Sequence, residues 1–255
     1  MKGARSMEQG GRLALVTGAG GDLGRAIARE LAGRGLTVAL NGRNLGSLRE
    51  TEEEIVRNGG QSVLLPGDVG DTDEVTKMMA RLGEAYGRLD VLVNNAGINR
   101  DGMFSAMSRN DWEAVLRTNL TGPFLVTQAA LPWLEQGEQA SVVNITARTA
   151  LRGRVNGANY CAAKAGLEML TRCLALELAP HIRVNAVAPG ATDTAEVRER
   201  FDLEDAANWE RFRQANPLAT VSTTAEMAKM VAFVALDARF MTGTTLLVDG
   251  GRNLV

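Results

Sequence analysis

The sequence predicts an α/β fold: one doubly wound domain built on a seven-stranded parallel sheet. Three observations carry this. Seven short apolar runs alternate with longer helical patterns along the 255 residues, the order expected of a parallel sheet covered by helices. Most of these runs are continuously apolar rather than alternating, as in strands buried on both faces. The first run passes through a glycine-rich turn into an amphipathic helix, a connection that brings backbone N–H groups close to a bound phosphate.

Taken in order, "RLALVT" is the first strand, and "DLGRAIARELAGRG" the helix after it. Leu23, Ile27 and Leu31 fall four apart on one helix face, with Gly35 as a stop. "LTVALN", "QSVLLP", "DVLVNN" and "ASVVNIT" are the next four strands. "NGANYCAAKAGLEMLTRCLALEL" is a long amphipathic helix whose Leu167, Leu170, Leu174 and Leu178 suit either the chain's own core or a dimer face. "IRVNAVA" and "TTLLVD" complete the sheet. Between them, "AEVRERFDLEDAANWERFRQANPLAT" is charged and helical in pattern, with Val197, Phe201, Leu203, Trp209 and Phe212 as apolar points. No Pro/Ser-rich linker and no repeat divides the chain, so residues 11–255 are read as one domain and residues 1–10 as a short disordered leader.

Composition narrows the function classes. With 45% hydrophobic residues, 23% charged residues and a net charge of -2, nothing suggests a nucleic-acid surface. No apolar run reaches the roughly 18–20 residues of a membrane span, and the N-terminus has no apolar signal region, so a cytoplasmic protein is expected. His181 is the only histidine, too few for a histidine-based metal site or a Ser-His-Asp triad, and no metal is expected. Cys161 and Cys173 share one predicted helix. Twelve residues span about 18 Å at 1.5 Å per residue, too far for a disulfide.

Two segments carry chemistry. In "LALVTGAGGDLGRAIA" the turn and the helix N-terminus suit a pyrophosphate, yet Asp22 places a carboxylate there. It would repel the phosphate unless it turns outward or caps the helix, and the cap is the expectation. In the long helix, Tyr160 and Lys164 at i and i+4 share a face. A phenol with a pKa of about 10 needs a nearby cation to act as an acid–base group at neutral pH.

These segments together resemble the short-chain dehydrogenase/reductase family, and within it the 3-oxoacyl-carrier-protein reductases and gluconate-type or secondary-metabolism ketoreductases. The family turn reads T-G-x-x-x-G-x-G; Thr17, Gly18 and Gly24 match, while Asp22 stands at the middle glycine. The "NNAG" turn, Asn94 to Gly97, and the Tyr-x-x-x-Lys pair roughly 65 residues later follow the family order. The resemblance implies a Rossmann-type domain and a nicotinamide cofactor held by Thr17, Gly18, Gly20, Gly21, Asp22, Leu23 and Gly24. It adds Asp68 and Val69 near the adenine, Asn95, Ala96 and Gly97 near the ribose, and Pro189, Gly190, Thr192 and Thr194 at the nicotinamide. Gly42 stands where NAD-preferring relatives carry Asp, and Arg43 follows with Asn41 nearby. A guanidinium suits the 2′-phosphate, so NADP(H) is expected over NAD(H).

The resemblance also implies roles. Tyr160 protonates the carbonyl as hydride arrives, Lys164 holds the ribose and lowers the tyrosine's pKa, and Asn119 holds a water. Residues of about 192–217 form a substrate lid, and "NRDGMFSAM" borders the pocket, with Met103, Phe104 and Met107 suggesting an apolar substrate. A ketone or alcohol substrate and a homo-oligomer, tetramer or dimer, are expected. One position departs from the pattern: the family serine, thirteen residues before the tyrosine, is Ala147. Thr149 is placed to substitute, whereas Thr146 points to the other side of an extended strand. A substrate that brings its own donor, an engineered loss of serine, a non-redox reaction such as dehydration or isomerisation, and a catalytically impaired NADP-binding protein remain the alternatives.

Overall fold

The computed structural model describes residues 11–255; the expected leader lies outside them. All seven expected strands form: β1 (Leu13–Val16), β2 (Thr37–Gly42), β3 (Gln61–Pro66), β4 (Val91–Asn94), β5 (Ser141–Ile145), β6 (Arg183–Pro189) and, last in the chain, β9 (Thr245–Val248). They pair in the order β3-β2-β1-β4-β5-β6-β9, parallel throughout. A separate two-residue ribbon, β7 (Thr192–Asp193) with β8 (Ser222–Thr223), was not expected, because two residues are too short to leave a periodic signal.

The helices are α1 (Asp22–Gly33), α2 (Leu45–Arg57), α3 (Thr72–Tyr86), α4 (Arg109–Leu116), α5 (Gly122–Leu134), α6 (Ala158–Leu178), α7 (Ala195–Arg200), α8 (Ala206–Gln214) and α9 (Thr224–Ala232). The continuous apolar strands explain how they stack. Successive residues of β1 point to opposite faces, so Ala14 and Val16 join one core while Leu13 and Leu15 join the other. The first core takes Ile27 and Leu31 of α1, Ile55 of α2 and Val231 of α9. The second takes Met78 and Leu82 of α3, Val126 and Leu134 of α5, and Ala175 of α6. Each fully buried leucine or isoleucine contributes about 1.5–3 kcal/mol relative to exposure, and both faces need that cover.

From β1 the chain runs outward to β2 and β3, then returns to β4 on the far side of β1. The carboxyl ends of β1 and β4 therefore diverge at a switch point, the crevice where such sheets bind ligands. Leu167 of α6 is fully buried, and Leu174 and Leu178 pack on the second core, so these positions serve the chain's own interior. Cys161 and Cys173 both lie on α6 as free thiols. Among the described residues no helix is long and apolar enough to cross a membrane.

Candidate active site

A cavity of about 1550 Å³ runs along the carboxyl ends of the central strands. Its floor is the glycine-rich turn. Gly18 has φ +65, and a Cβ on Gly24 would lie 2.1 Å from the Gly18 carbonyl oxygen; only glycine permits this approach. Thr17 stitches the turn to the one after β4. Its Oγ1 accepts the N–H groups of Asn95 (2.9 Å) and Ala96 (3.0 Å) and donates to the Val93 carbonyl (3.3 Å). The Asn95 amide donates to the carbonyls of Thr17 (2.9 Å) and Gly18 (3.3 Å). Thr17 is thus buried behind the cavity wall, whereas Gly18, Gly20, Gly21, Leu23 and Gly24 form that wall.

Asp22 corrects an expectation. The N-cap of α1 is Gly21, with no side-chain cap, and Asp22 is the first helical residue. Its Oδ2 instead accepts the backbone N–H of Ala195 at 2.7 Å, joining the glycine-rich turn to the start of α7. A carboxylate in the first turn is still favourable to the helix dipole, and its hydrogen bond turns it toward α7.

Arg43 is exposed at the cavity edge, and its guanidinium has no hydrogen bond or ion pair among the described residues. Beside it Asn44, which the sequence reading did not single out, caps α2: its Oδ1 accepts from Gly46 N (2.9 Å) and Ser47 N (3.2 Å). Asn41 behaves differently. It is fully buried, and its amide donates to the carbonyls of Leu65 (3.0 Å) and Gly67 (3.1 Å), which fixes the turn after β3. That turn carries Asp68 and Val69 to the wall, where the Asp68 carboxylate accepts from Gly70 N (2.8 Å) and pairs with Arg117 (3.2 Å). Ala96 and Gly97 line the opposite wall.

Tyr160 and Lys164, one turn apart on α6, both reach the cavity. The Lys164 ammonium lies 5.7 Å from the Tyr160 ring centroid and donates to the Ile145 carbonyl at 2.7 Å. Burial lowers its pKa to about 8. Burial pushes the Tyr160 phenol above its ordinary value, while Arg200 and then Arg154 pull the other way. The cations that favour the phenolate thus include two arginines that no spacing had indicated. Asn119 is fully buried in a short π-helical segment between α4 and α5, Arg117–Thr121, a distortion frequent at functional sites. Its amide donates to the Ile98 carbonyl (2.8 Å) and its Oδ1 accepts Ile98 N (2.8 Å), so the side chain braces the strand-end loop from behind the cavity wall.

Ala147 is extended, with φ -162 and ψ 154, and borders the cavity. The Thr146 hydroxyl is directed at Glu168 Oε1 (3.1 Å) and the Val187 carbonyl (3.4 Å). Thr149 faces the cavity, and its Oγ1 is buried with no hydrogen-bond partner among the described residues. An unpaired buried hydroxyl costs free energy that a ligand atom can offset.

The remaining wall comes from separate loops and the lid. Arg154 lies 5.5 Å over the Tyr160 ring and pairs with Asp101, one bond measuring 2.6 Å. Arg200, at the end of α7, approaches the same carboxylate at 4.0 Å and pairs with Glu196. Pro189, Gly190, Thr192 and Thr194 line the cavity where the chain leaves β6, and Thr194 also caps α7, accepting from Val197 N at 3.2 Å. The expected lid region holds α7 and α8, joined by Phe201 and Phe212 with ring centroids 5.1 Å apart. Trp209 lies outside the cavity, under Arg198 at 5.2 Å. Met103 and Phe104 are exposed, and neither they nor Met107 line the cavity, which corrects that expectation. The loop turns away because Asp101 is drawn to Arg154 and Gly102 N donates to the Asn156 carbonyl at 2.9 Å. The dense arginines of "RTALRGR" after β5 were the sequence signal for this wall.

Comparison with known proteins agrees with this geometry. A family model described as enoyl-(acyl carrier protein) reductase matches residues 18–253. A 3-oxoacyl-[acyl-carrier-protein] reductase of Synechocystis sp. is 38% identical over 94% of this chain and 96% of its own length. An actinorhodin polyketide ketoreductase solved with NADPH superposes with a TM-score of 0.90 at 35% identity, covering 97% of this chain and 99% of that one. A gluconate 5-dehydrogenase from Burkholderia cenocepacia, solved with NADP and tartrate, gives 0.89 at 30% identity over 96% of each chain. With the glycine-rich turn, the switch-point crevice and the Tyr160–Lys164 pair in one cavity, the chain belongs to the short-chain dehydrogenase/reductase family of oxidoreductases.

Proposed function

We propose that this enzyme is an NADP(H)-dependent oxidoreductase that interconverts a ketone and a secondary alcohol, with Tyr160 as the general acid–base group. One observation carries the reading: a single continuous cavity joins the phosphate turn and Arg43 to Tyr160, Lys164 and Thr149. The residues fit the cofactor. Gly18 and Gly24 leave a cradle that a Cβ would fill, the α1 N-terminus favours an anion, and Arg43 beside the capped start of α2 suits a 2′-phosphate. The presence of NADPH or NADP in two related structures supports that choice over NAD. Asp68 and Val69 take the adenine side, Asn95, Ala96 and Gly97 the ribose, and Pro189 to Thr194 the nicotinamide end.

When bound, the nicotinamide supplies or accepts the hydride. Tyr160 gives its proton to the carbonyl oxygen in reduction and takes it back in oxidation. Arg200, Arg154 and Lys164 lower the free energy of the resulting phenolate. Thr149 supplies the hydrogen bond that the family serine would give at Ala147. Asn119 acts through Ile98, holding the loop after β4 in place. Leu176 and Met169 project from α6 at 84% and 55% exposure, which supports a homo-oligomer through this helix; light scattering with Leu176→Glu tests it.

The decisive assay follows NADPH oxidation with ketones and β-ketothioesters in the parent, Ala147→Ser and Thr149→Val. The parent is expected to turn over, serine to add less than about ten-fold, and valine to remove on the order of 10²-fold in kcat. A parent that binds NADPH and gains 10²-fold or more from serine would overturn the role of Thr149. Product formation without NADPH oxidation would instead support the dehydration or isomerisation reading.

A further inference from the structure

Two arginines of the cavity wall, Arg148 and Arg252, take no part in hydride or proton transfer at Tyr160. Arg148 follows Ala147 at the end of β5, and Arg252 lies in the last turn of the chain; both line the cavity that holds Tyr160. Both are half-buried. Among the described residues neither guanidinium has a hydrogen bond or an ion pair; Arg252 only stacks on Phe212, 5.5 Å from its ring centroid. Their situation differs from that of the neighbouring pair, since Arg154 and Arg200 are matched by Asp101 and Glu196. Burial, and then repulsion from Arg148, lowers the pKa of Arg252.

Two like charges facing one half-buried space, with no carboxylate among the described residues paired to either, are an unfavourable arrangement for the free protein. An oxyanion placed between them would offset desolvation and repulsion together, through the charge-assisted bonds that guanidinium forms best. The aromatic pair Phe201 and Phe212 borders the same space and supplies apolar wall beside the two guanidiniums.

We propose that Arg148 and Arg252 form an anion subsite, and that the natural substrate is a small carbonyl compound bearing a carboxylate or phosphate group held there while its carbonyl lies at Tyr160. The anion subsite stands on the geometry of these two arginines; the carbonyl at Tyr160 rests on the reductase reading above. The two parts can fail separately.

The experiment has two arms. In the first, protein saturated with NADP⁺ is titrated calorimetrically with glutarate, dimethyl glutarate and inorganic phosphate, and the titration is repeated with Arg148→Gln and Arg252→Gln. Glutarate or phosphate is expected to bind and the diester not to bind, with affinity for the anion falling at least ten-fold in each variant and recovering in part in Arg252→Lys. Preference for glutarate or for phosphate identifies the carboxylate or the phosphate as the recognised group. Equal binding of the diester, absence of anion binding, or unchanged affinity in both variants overturns the subsite.

In the second arm, kcat/KM with NADPH is compared for levulinate against methyl levulinate and for dihydroxyacetone phosphate against dihydroxyacetone. At least one anionic member should exceed its neutral partner ten-fold or more, and that ratio should collapse in the two glutamine variants. A ratio near one in the parent overturns the substrate class. Anion binding in the first arm, lost in the variants, with no ketone reduced in the second leaves the subsite standing and overturns the reductase reading.

Discussion

The two ends of the cavity are built in opposite ways. At the cofactor end the shape is set by backbone: Gly18 and Gly24 touch, and Thr17 and Asn95 close the turns after β1 and β4 with several hydrogen bonds. At the substrate end it is set by charged and hydroxyl side chains from the β4–α4 loop, the segment after β5, α6, the lid and the last turn of the chain. Among the described residues, the first end leaves only the Arg43 guanidinium and the Asn41 Oδ1 unmet, both at its adenosine-side edge, whereas the second leaves the Thr149 hydroxyl and two guanidiniums unmet around Tyr160. A fixed backbone cradle suits a ligand common to a whole family, and a wall of separately supplied side chains can change without disturbing it.

The largest separation between the two ends is expected from Tyr160→Phe. It removes one hydroxyl from the reacting end and nothing from the cradle, so kcat should fall roughly 10²–10⁴-fold while the dissociation constant for NADPH, measured by fluorescence titration, changes only a few-fold. Loss of NADPH affinity as large as the loss of rate would mean that the two ends are coupled through the tyrosine and do not act separately.

The converse change is Gly24→Ala. The added methyl would meet the Gly18 carbonyl oxygen at 2.1 Å and the Asn95 amide at 2.7 Å, and relief requires moving the turn. Overpacking of this kind costs about 1–3 kcal/mol; here the upper end is expected in urea unfolding, with NADPH affinity reduced about 10²-fold. Anion binding at Arg148 and Arg252, read by calorimetry on the fraction that remains folded, should survive. Wild-type NADPH affinity in Gly24→Ala would show that the turn adapts and that the cradle is less fixed than its contacts imply.

The same contrast explains what the sequence disclosed. Leu13 to Val16, Val91 to Asn94 and Ser141 to Ile145 are buried along their whole length, so the two-sided burial of a parallel sheet wrote itself as largely apolar runs without strict alternation. Glycine spacing and the i, i+4 placement of Tyr160 and Lys164 are likewise local, and they were legible. Partners distant in the chain were not. Asp22 is bonded to an N–H 173 residues away, which no capping pattern encodes, and Arg252 and Arg148 are brought to one cavity only through the fold. Asn41 lines the cavity as expected, but the hydrogen bonds of its amide to the turn after β3 could not be read from the sequence, because a polar residue at a strand end serves a ligand or its neighbours equally well. Met103 and Phe104 were misjudged because apolar type does not by itself decide burial.

Lys164 sits where the two ends meet, and its smaller effect sharpens the boundary between them. Its ordinary pKa of 10.5 falls to about 8 by burial in the folded protein. Below pH 8 folded and unfolded chains both carry the proton, and the cost of burying the charge is present in full. Between pH 8 and about 10 the unfolded chain binds more protons at this site than the folded one, so stability should rise with pH, by at most about 1.4 kcal/mol per unit from this group. Above pH 10 the raised pKa of Tyr160 acts in the opposite sense, since the unfolded chain then loses its phenolic proton first. Urea unfolding at pH 8.0, 9.0 and 9.8 should therefore show an upward slope in the parent of about 1–2 kcal/mol over the range, and Lys164→Met should flatten it. Saturating NADPH should shrink the slope as well if the bound cofactor stabilises the ammonium, because the folded pKa would move back toward its ordinary value. A slope that persists in Lys164→Met assigns the titration to another group. A slope that vanishes in the variant but ignores NADPH places Lys164 wholly with the substrate end.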